Sequence, residues 1–273
     1  MGGARARPAG EPPDGRRARA RDPDHPAGSA LGARGRAPAR VPVVLVLAFD
    51  SSTNDVSVAV VRAADEPTQG PREVLVEISV PSRGASEALL PAAHAALGLA
   101  GTTLEGIERV LVGVGPGTFT GIRIAAAAAR SLALATGAPL SKGSTLAALA
   151  APALASADVG DVLAVIDARR REVFAQRYAA DGGVPGEILC VRPAELRAGG
   201  APLVVGDGAV RYREVLSGLG RIPDDASPLH RVTATGLALS ADLAPVPAGE
   251  VVPLYVREPD AEVRRDLNPW SKA

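Results

Sequence analysis

Two segments of the chain share one pattern of apolar and acidic residues. FDSSTNDVSVAV begins at residue 49 and IDARRREVFAQR begins at residue 166, an offset of 117 residues. Each contains an apolar residue, an aspartate, a five-residue turn and then a strand that begins with valine. A constant offset between matching segments predicts that the second half of the chain is a structural repeat of the first.

The apolar pattern of the first half predicts the element order β-β-β-α-β-α. Three strands, VPVVLVLAFDSS, VSVAVVRA and REVLVEISV, follow one another and predict an antiparallel meander. The segment GASEALLPAAHAALGLAG predicts a helix with Ser86 as N-cap, Glu87 in its first turn and a kink at Pro91. A fourth strand, RVLVGVG, and an alanine-rich helix complete the unit. The predicted fold class is therefore α/β with two lobes, the first at 42–140 and a second, degenerate one at 141–273.

The first 41 residues differ in composition from the rest of the chain. Residues 1–40 hold nine arginines against four acids and show no hydrophobic period, so we expect residues 1–41 to be disordered. The remaining 233 residues carry five more acids than bases. Binding of nucleic acid by the folded part alone is not expected on charge grounds, since it requires a basic face.

Several classes of protein are excluded by what the chain lacks. Its one cysteine, Cys190, permits no internal disulfide and is typical of a reducing cytosol, so we expect a cytoplasmic protein. Three histidines, His25, His94 and His230, lie far apart and predict neither a metal site nor a Ser-His-Asp triad. No apolar run approaches the roughly 18 residues of a membrane span. We predict no catalytic residue and no metal site on this chain.

The segment GVGPGTFTGIRIAAAAAR, residues 113–130, joins a glycine-rich loop to the second helix. Bare backbone N–H groups at a helix N-terminus suit a phosphate, which is one interpretation of the glycines. The interpretation we favour is structural: Gly115, Pro116 and Gly117 form a tight turn, and Gly121 lets the helix start close to the sheet. The loop then directs the helix towards a partner.

The second helix has few polar positions. Arg123 and Arg130 share one stripe with Ser131 beside it, and the remaining positions are nearly all apolar or alanine. One apolar face covers the sheet of its own lobe. The other face is either an interface with another protein or a surface covered by the second lobe or the C-terminal segment, and the residues alone leave both possibilities open.

Two such halves resemble the superfamily of acetokinases, sugar kinases, heat-shock chaperones and actin, in which two hairpins hold ATP between two RNase H-like lobes. The resemblance implies a nucleotide site at Asp50, Ser51, Ser52 and Thr53, although Asp50 is also explained as a turn-forming aspartate. In the second hairpin, Ala168 and the arginines at 169–171 replace the expected glycines. That replacement argues against hydrolysis of ATP by this chain alone.

The motifs VGVGPGTFTGIRIA, SEALLP, STLAALA, VIDARRREVFAQRY and PLYVREPDA together resemble the bacterial TsaB (YeaZ) family over residues 43 to about 262. This resemblance implies a non-catalytic dimerisation subunit of the complex that forms N6-threonylcarbamoyladenosine at position 37 of tRNAs reading codons that begin with A. The implied partners are the catalytic paralogue TsaD, the ATPase TsaE and, through the complex, tRNA. ATP and metal are expected on those partners and no cofactor on this chain.

The resemblance also implies where the partner binds. A TsaD-like chain would carry a His-x-x-x-His pair in the first helix, where this chain has only His94. The first two helices are expected to pair with TsaD, or with a second copy when the chain is isolated. The implied contact residues are Leu89, Leu90, Ala93, Leu97, Ile122, Ala126, Ala129, Leu132 and Ala133.

Two alternatives from other classes stay open on the sequence. A small-molecule kinase or ATP-binding protein of the same superfamily would bind nucleotide in isolation. A proteolytic or chaperone-like binding module would act on other proteins and leave tRNA unchanged.

Overall fold

A computed structural model describes residues 42–65, 72–81, 84–156 and 158–257. The predicted tail at 1–41 and the part of the C-terminal extension beyond residue 257 lie outside the described residues. The expected two-lobed α/β architecture is confirmed for the rest of the chain, because the strands form two separate mixed sheets with helices on their faces.

The first sheet contains five strands. Its strands are β1 (Val43–Asp50), β2 (Asp55–Ala64), β3 (Arg72–Pro81), β4 (Arg109–Gly113) and β5 (Leu140–Gly143). Their spatial order is β3-β2-β1-β4-β5. The first three form the predicted antiparallel meander, while β4 and β5 join in parallel because helices connect them across the sheet.

The second sheet has four strands. They are β6 (Val162–Arg169), β7 (Glu172–Tyr178), β8 (Leu189–Val191) and β9 (Leu203–Val205). Their order is β8-β7-β6-β9, with β6 parallel to β9. This arrangement repeats the central part of the first sheet, where β1 lies between its antiparallel neighbour β2 and its parallel neighbour β4.

Helices and sheets alternate in five layers. The helices are α1 (Ala85–Leu99), α2 (Phe119–Thr136), α3 (Thr145–Leu154), α4 (Asp207–Arg211), α5 (Arg213–Leu216) and α6 (Ala234–Ser240). One face of the first sheet is covered by α1 and α2, and the other face by α3 and α6, which also cover the second sheet. The outer face of the second sheet is covered by α4 and α5.

Strand β1 is buried on both faces. Leu47 and Phe49 enter the core beneath α1 and α2, whereas Val46 and Ala48 enter the core shared with α3 and α6. A strand that faces two cores cannot alternate with polar residues, which explains its continuous apolar sequence.

Three details of the sequence prediction need correction. Glu87 N donates to the carbonyl oxygen of Gly84 (3.1 Å), so α1 begins before Ser86 and Gly84 takes the N-cap position. The boundary drawn after residue 140 falls at the start of β5, which pairs with β4 and keeps the first sheet together as far as Gly143. The second half also lacks a full helix between β8 and β9, where only a 3₁₀ turn at Pro193–Glu195 is present.

Helix α1 continues through Pro91 to Leu99, as the sequence predicted. Within the described ranges, no helix combines the length and the apolar character that a membrane crossing requires.

Candidate functional site

The glycine loop between β4 and α2 encloses the turn between β1 and β2. Thr118 N donates to the carbonyl oxygen of Ser52 (2.6 Å), and Ser51 Oγ donates to that of Gly121 (2.9 Å). A Cβ at Gly117 would lie 2.3 Å from the Ser52 carbonyl oxygen, and one at Gly121 would lie 1.9 Å from the Ser51 carbonyl oxygen. Only glycine permits so close an approach. The loop therefore packs around the β1–β2 turn, at the place where one interpretation of the sequence put a phosphate.

The same loop makes a sharp change of direction at its first glycine. Gly115 has φ +107°, a conformation that residues with a Cβ rarely adopt, and its peptide bond to Pro116 is cis. The Gly115 carbonyl oxygen accepts a hydrogen bond from Thr145 N (2.9 Å) at the start of α3. The predicted loop residues therefore lie together at the N-terminal end of α2, and their role in aiming that helix at a partner stays a prediction.

Asp50 ends β1 and is buried at 1% exposure. Its Oδ1 accepts from Ser52 N (2.7 Å), and its Oδ2 accepts from Thr145 Oγ1 (2.9 Å) and Ser52 Oγ (3.1 Å). Burial raises the pKa of Asp50, because removal from water disfavours the charged form more than these hydrogen bonds favour it. The geometry matches the turn-forming role considered for Asp50.

The predicted nucleotide residues are largely closed to solvent. Asp50, Ser51 and Ser52 are each exposed by no more than 1%. Only Thr53 is partly exposed, and it borders two surface clefts. Ser51 borders one of these clefts as well, whereas Asp50 and Ser52 border neither. A nucleotide site at these four residues stays a prediction.

The turn of the second hairpin has a backbone conformation typical of glycine, although its residues are arginines. Arg169, Arg170 and Arg171 have φ values of 64°, 52° and 65°. This left-handed conformation costs about 1–2 kcal/mol for each residue that carries a Cβ. Arginines thus stand at positions whose backbone conformation glycine adopts freely, as the predicted replacement of glycines implies.

Asp167 corresponds to Asp50 in the repeat and is held by two arginines. Its Oδ2 accepts from Arg211 (3.0 Å) and Arg169 (3.2 Å), and its backbone N–H donates to Asp207 Oδ1 (2.9 Å). Burial raises the pKa of the Asp207 carboxyl, and the nearby Asp167 charge adds to that effect. The second aspartate of the repeat is therefore neutralised by the chain itself.

The cleft between the two hairpins has a volume of about 540 Å³. Arg169 reaches across it from the second hairpin and donates to Asn54 Oδ1 of the first (2.6 Å). Arg231 donates to Asp55 Oδ2 (2.9 Å) on the same wall. A hydrogen bond thus links the two hairpins across the cleft where the superfamily resemblance implied a nucleotide.

The predicted interface residues fall mostly inside the protein. Six of them are less than 9% exposed, and this part of the prediction is wrong for a surface in the folded chain: Leu89, Ala93, Leu97, Ile122, Ala126 and Ala129. All but Ile122 pack into the core between these helices and the first sheet. Leu132 and Ala133 are half-buried, and Leu90 is 53% exposed. The apolar pattern correctly identified both helices, but it could not separate the face towards the sheet from the face towards solvent.

Other apolar residues lie on the outer face of these helices. Leu99 of α1 is 72% exposed and Leu134 of α2 is 88% exposed, and α1 packs against α2. The side chains of Ile124 and Ala128 of α2 are half-buried. Sequence analysis missed these four residues, although the spacing of three to four residues from the buried Gly121, Ala125 and Ala129 could have shown which positions turn outward.

A second cavity, of about 640 Å³, lies beside the N-terminal end of α2. Phe119 and Tyr255 form part of its wall, with ring centroids 5.7 Å apart. Arg123 lies 3.5 Å above the Phe119 ring and donates to Tyr255 Oη (2.6 Å). Arg169, Arg170 and Arg257 also line the cavity. Sequence analysis did not predict this cavity, because its residues come from three distant segments.

The chain offers little for metal or thiol chemistry in the described ranges. No group of three or more His, Cys, Asp or Glu side chains there could hold a metal ion. His94 lies exposed on α1, and His230 is buried, where its Nδ1 accepts from Gly206 N (3.1 Å). Burial raises the pKa of the Cys190 thiol, which makes it less reactive.

Comparison with known proteins gives a consistent picture. The family model for TsaD, tRNA N6-adenosine threonylcarbamoyltransferase, matches residues 79–191. An uncharacterized protein of Mycobacterium tuberculosis (strain H37Rv) is 35% identical over 226 residues, which cover 82% of this chain and 96% of that protein. The tRNA threonylcarbamoyladenosine biosynthesis protein TsaB of Escherichia coli (strain K12) is 34% identical over 136 residues, covering 50% of this chain and 55% of TsaB.

The structure of YeaZ from Pseudomonas aeruginosa decides the family. It superposes with a TM-score of 0.63 and 27% identity, covering 78% of this chain and all of YeaZ. The chain belongs to the TsaB (YeaZ) family. The sequence alignment of this TsaB-family chain spans about half the length of E. coli TsaB, whereas the structural match spans the whole of YeaZ.

Replacing Gly121 by alanine should destabilise this TsaB-family protein by about 2 kcal/mol or more, because the new methyl group would collide with the Ser51 carbonyl oxygen. The matched control is Gly98→Ala in α1, where no atom lies within 4 Å of the new Cβ. That change should stabilise by about 0.5–1 kcal/mol through helix propensity. Urea unfolding measures the free energy of unfolding of both variants. Equal effects of the two substitutions would contradict the close contact between Gly121 and the β1–β2 turn.

Replacing Asp50 by asparagine should leave the fold nearly intact, because the amide retains one acceptor and can donate to the Thr145 hydroxyl. Because the pKa of Asp50 is higher in the folded protein than in the unfolded chain, the protonated carboxyl favours the folded state. This stabilisation is fully present below the unfolded pKa, near 3.8, and is lost as the pH rises through the folded pKa. Asp50→Asn should therefore gain stability relative to the native chain as pH increases from 4 towards 7.

The measurement is urea unfolding of both proteins at several pH values. Asp50→Ala provides the comparison, since it removes the acceptor of Ser52 N and leaves the two buried hydroxyls of Ser52 and Thr145 only each other as partners. It should cost about 2 kcal/mol or more at every pH. Parallel pH profiles for Asp50→Asn and the native chain would show that the buried carboxyl does not titrate as described.

Proposed function

We propose that this chain is the non-catalytic dimerisation subunit of a tRNA threonylcarbamoyladenosine-forming complex. The part in threonylcarbamoyladenosine biosynthesis rests on membership of the TsaB family, whose E. coli relative carries that process in its name. The finer assignment is that the chain pairs with the catalytic paralogue TsaD and contributes no catalytic residue. The modified base is the adenosine at position 37 of tRNAs that read codons beginning with A.

The observation that carries this proposal is the contrast between a cleft whose aspartates are engaged within the chain and an exposed apolar surface on two helices. Asp50 is sealed by its own hydrogen bonds, Asp167 is paired with two arginines, and Arg169 spans the gap between the hairpins. A kinase would need these aspartates free for the metal that accompanies ATP, so the described residues do not favour the small-molecule kinase alternative. Nor do they offer a nucleophile with an activating base for a proteolytic alternative.

The surface of α1 and α2 supports the pairing. Leu90, Leu99 and Leu134 are more than half exposed, although a soluble chain gains nothing from leaving such side chains in water. Burial of apolar surface contributes about 25 cal/mol per Å², and a standard interface covers roughly 800 Å² on each partner. We name this surface the α1–α2 face and define it by Leu90, Leu99, Ile124, Ala128 and Leu134. Packing against two helices of a partner would bury it.

The remaining assignments follow from the same division of labour. ATP and metal belong on TsaD and on the ATPase TsaE, and tRNA reaches this chain through the complex. When the chain is isolated, the α1–α2 face pairs with a second copy, since the same apolar surface is then left uncovered.

Depletion of the protein in its own cell should lower the content of N6-threonylcarbamoyladenosine in tRNA. The measurement is mass analysis of nucleosides from purified tRNA, with re-expression of the native chain as the control. Normal levels of the modified adenosine in depleted cells that hold no second copy would overturn the proposal.

Substitution on the α1–α2 face should weaken binding to the cognate TsaD. Leu90→Arg and Leu134→Arg together place two charges on that face, and we expect at least a tenfold increase in Kd, since burying one leucine contributes about 1.5–3 kcal/mol. These positions replace Ala129 as the test site, because Ala129 is completely buried and an arginine there would disrupt the fold. Calorimetric titration of TsaD with the folded variants measures the effect.

Val184→Arg is the matched control, because Val184 is 94% exposed and lies between β7 and β8 of the other sheet. It should leave the Kd for TsaD unchanged. If the double variant also binds TsaD with native affinity while retaining its native unfolding curve, the α1–α2 face is not the interface.

A further inference from the structure

One histidine, His94, lies between the two leucines that α1 contributes to the α1–α2 face. It follows Leu90 by one helical turn and precedes Leu99 along the same helix. All three side chains are exposed, so they turn away from the sheet beneath α1. Gly98, one turn beyond His94, is exposed as well and has no side chain that could shield the imidazole. A partner that covers Leu90 and Leu99 therefore covers the imidazole of His94 too.

The imidazole of His94 makes no polar contact within the described ranges. No hydrogen bond, ion pair or ring contact there joins it to another residue. In the free chain its two nitrogens are therefore hydrated. A neutral imidazole presents one donor and one acceptor to water, whereas a protonated imidazole presents two donors and a charge. This hydration is lost when a partner covers the face.

The elements packed against α1 are α2, β2 and β3. The charged side chains of these elements and of α1 itself are Glu87 on α1, Arg123 and Arg130 on α2, Asp55 and Arg62 on β2, and Arg72, Glu73 and Glu77 on β3. The five on β2 and β3 belong to the sheet beneath α1, and each of them contacts a residue other than His94. The charges nearest to the outer side of α1 are therefore those of the two helices.

The charges of the two helices do not compensate a proton on His94. Glu87 is in the first turn of α1, about two turns before His94, where the helix dipole favours an acid. Arg123 donates to Tyr255 Oη, and Arg130 is exposed on α2. Both arginines have the same sign of charge as a protonated histidine. No carboxylate of α1 or α2 thus lies within one turn of His94.

Covering the α1–α2 face changes the balance between the two forms of this imidazole. Removal from water disfavours a charged group more than a neutral one, unless the new surroundings supply an opposite charge. The residues that define the face are leucine, isoleucine and alanine, which suit an apolar partner surface. A protonated imidazole would leave a charge in that apolar interface, whereas a neutral one needs only one donor and one acceptor.

We propose that His94 makes pairing at the α1–α2 face sensitive to pH, so that the chain binds TsaD more tightly with a neutral imidazole than with a protonated one. Histidine ordinarily changes its charge between about pH 5 and pH 8. Linkage also requires the converse, because a partner that prefers the neutral form displaces the proton when it binds. The inference rests on the proposed function, which supplies TsaD as the partner.

The test is calorimetric titration of TsaD with the full chain at several pH values from about 8 to about 5.5, for the native chain and for His94→Gln. Glutamine keeps a donor and an acceptor but takes up no proton. The titrating groups of TsaD affect both measurements, so the quantity to follow is the ratio of the native Kd to the His94→Gln Kd. We expect this ratio to rise about fivefold or more from the highest pH to the lowest.

His94→Lys imitates the protonated state at every pH. Because lysine stays charged over this range, the variant should bind TsaD about fivefold or more weakly than the native chain at the highest pH and approach the native Kd at the lowest. Urea unfolding at each pH establishes that the variants are folded. Since His94 is exposed, neither substitution should shift the unfolding curve.

Val184→His is the matched control. It adds an imidazole at a position that is 94% exposed and lies between β7 and β8 of the other sheet. The added charge stays in water, so the Kd for TsaD should match that of the native chain within about twofold at every pH. A pH-dependent weakening as large as the one assigned to His94 would show a general charge effect and would overturn the inference.

Two further results would contradict a role for His94. A ratio of native to His94→Gln Kd that stays constant over the pH range would show that protonation of His94 has no effect on pairing. A ratio that falls as the pH decreases would show that the protonated imidazole gains a carboxylate of the partner, which is the opposite of the proposed sign.

Failure of this inference is distinguishable from failure of the proposed function. Weaker TsaD binding by the variant with Leu90→Arg and Leu134→Arg, together with a constant ratio, would retain the α1–α2 face as the interface and overturn the role of His94. A ratio that rises as expected, together with normal modified adenosine in depleted cells that hold no second copy, would remove the proposed function and leave His94 as a pH-sensitive element of a pairing surface.

Discussion

Much of this structure depends on one close contact between two backbone segments. The β1–β2 turn packs directly against the glycine loop that precedes α2. The Ser51 and Ser52 carbonyl oxygens approach positions that a Cβ at Gly121 or Gly117 would occupy. That contact fixes the start of α2 against the end of β1, and Thr145 extends it to the start of α3 through Asp50. Because backbone fills the loop, the site that would otherwise suit a phosphate belongs to the interior of the protein.

The second hairpin closes the other side of the same cleft by a different physical means. The contacts there are made by side chains and not by the backbone. Arg169 and Arg211 neutralise Asp167, and Arg169 also contacts Asn54 across the cleft. One turn is thus held by close packing of uncharged backbone and the other by ion pairs. With both turns engaged within the chain, the parts of the molecule left to interact with others are its outer surfaces.

Those surfaces differ in their chemistry. The α1–α2 face presents leucine and alanine, which suit another protein, while the cavity beside the N-terminal end of α2 is lined by aromatic rings and guanidinium groups. The face and the cavity adjoin at α2, since Phe119 and Arg123 belong to its first turns and Leu134 to its last. A single helix therefore contributes to two surfaces of different character.

The sequence by itself determined the order of the first four strands and two helices, the division into two halves and the replacement of glycines by arginines in the second hairpin, because these depend on local apolar periodicity and on residue types at matched positions. It also pointed to α1 and α2 as the unusual helices. Which of their residues face outward was decided only by the tertiary structure: Ala129 and Leu134 look alike in an apolar stretch, and only the sheet beneath α2 separates them. The ligand of the glycine loop and the meeting of Phe119, Arg170 and Tyr255 were likewise decided by folding, since contacts between residues far apart in the chain leave no periodic signal in the sequence.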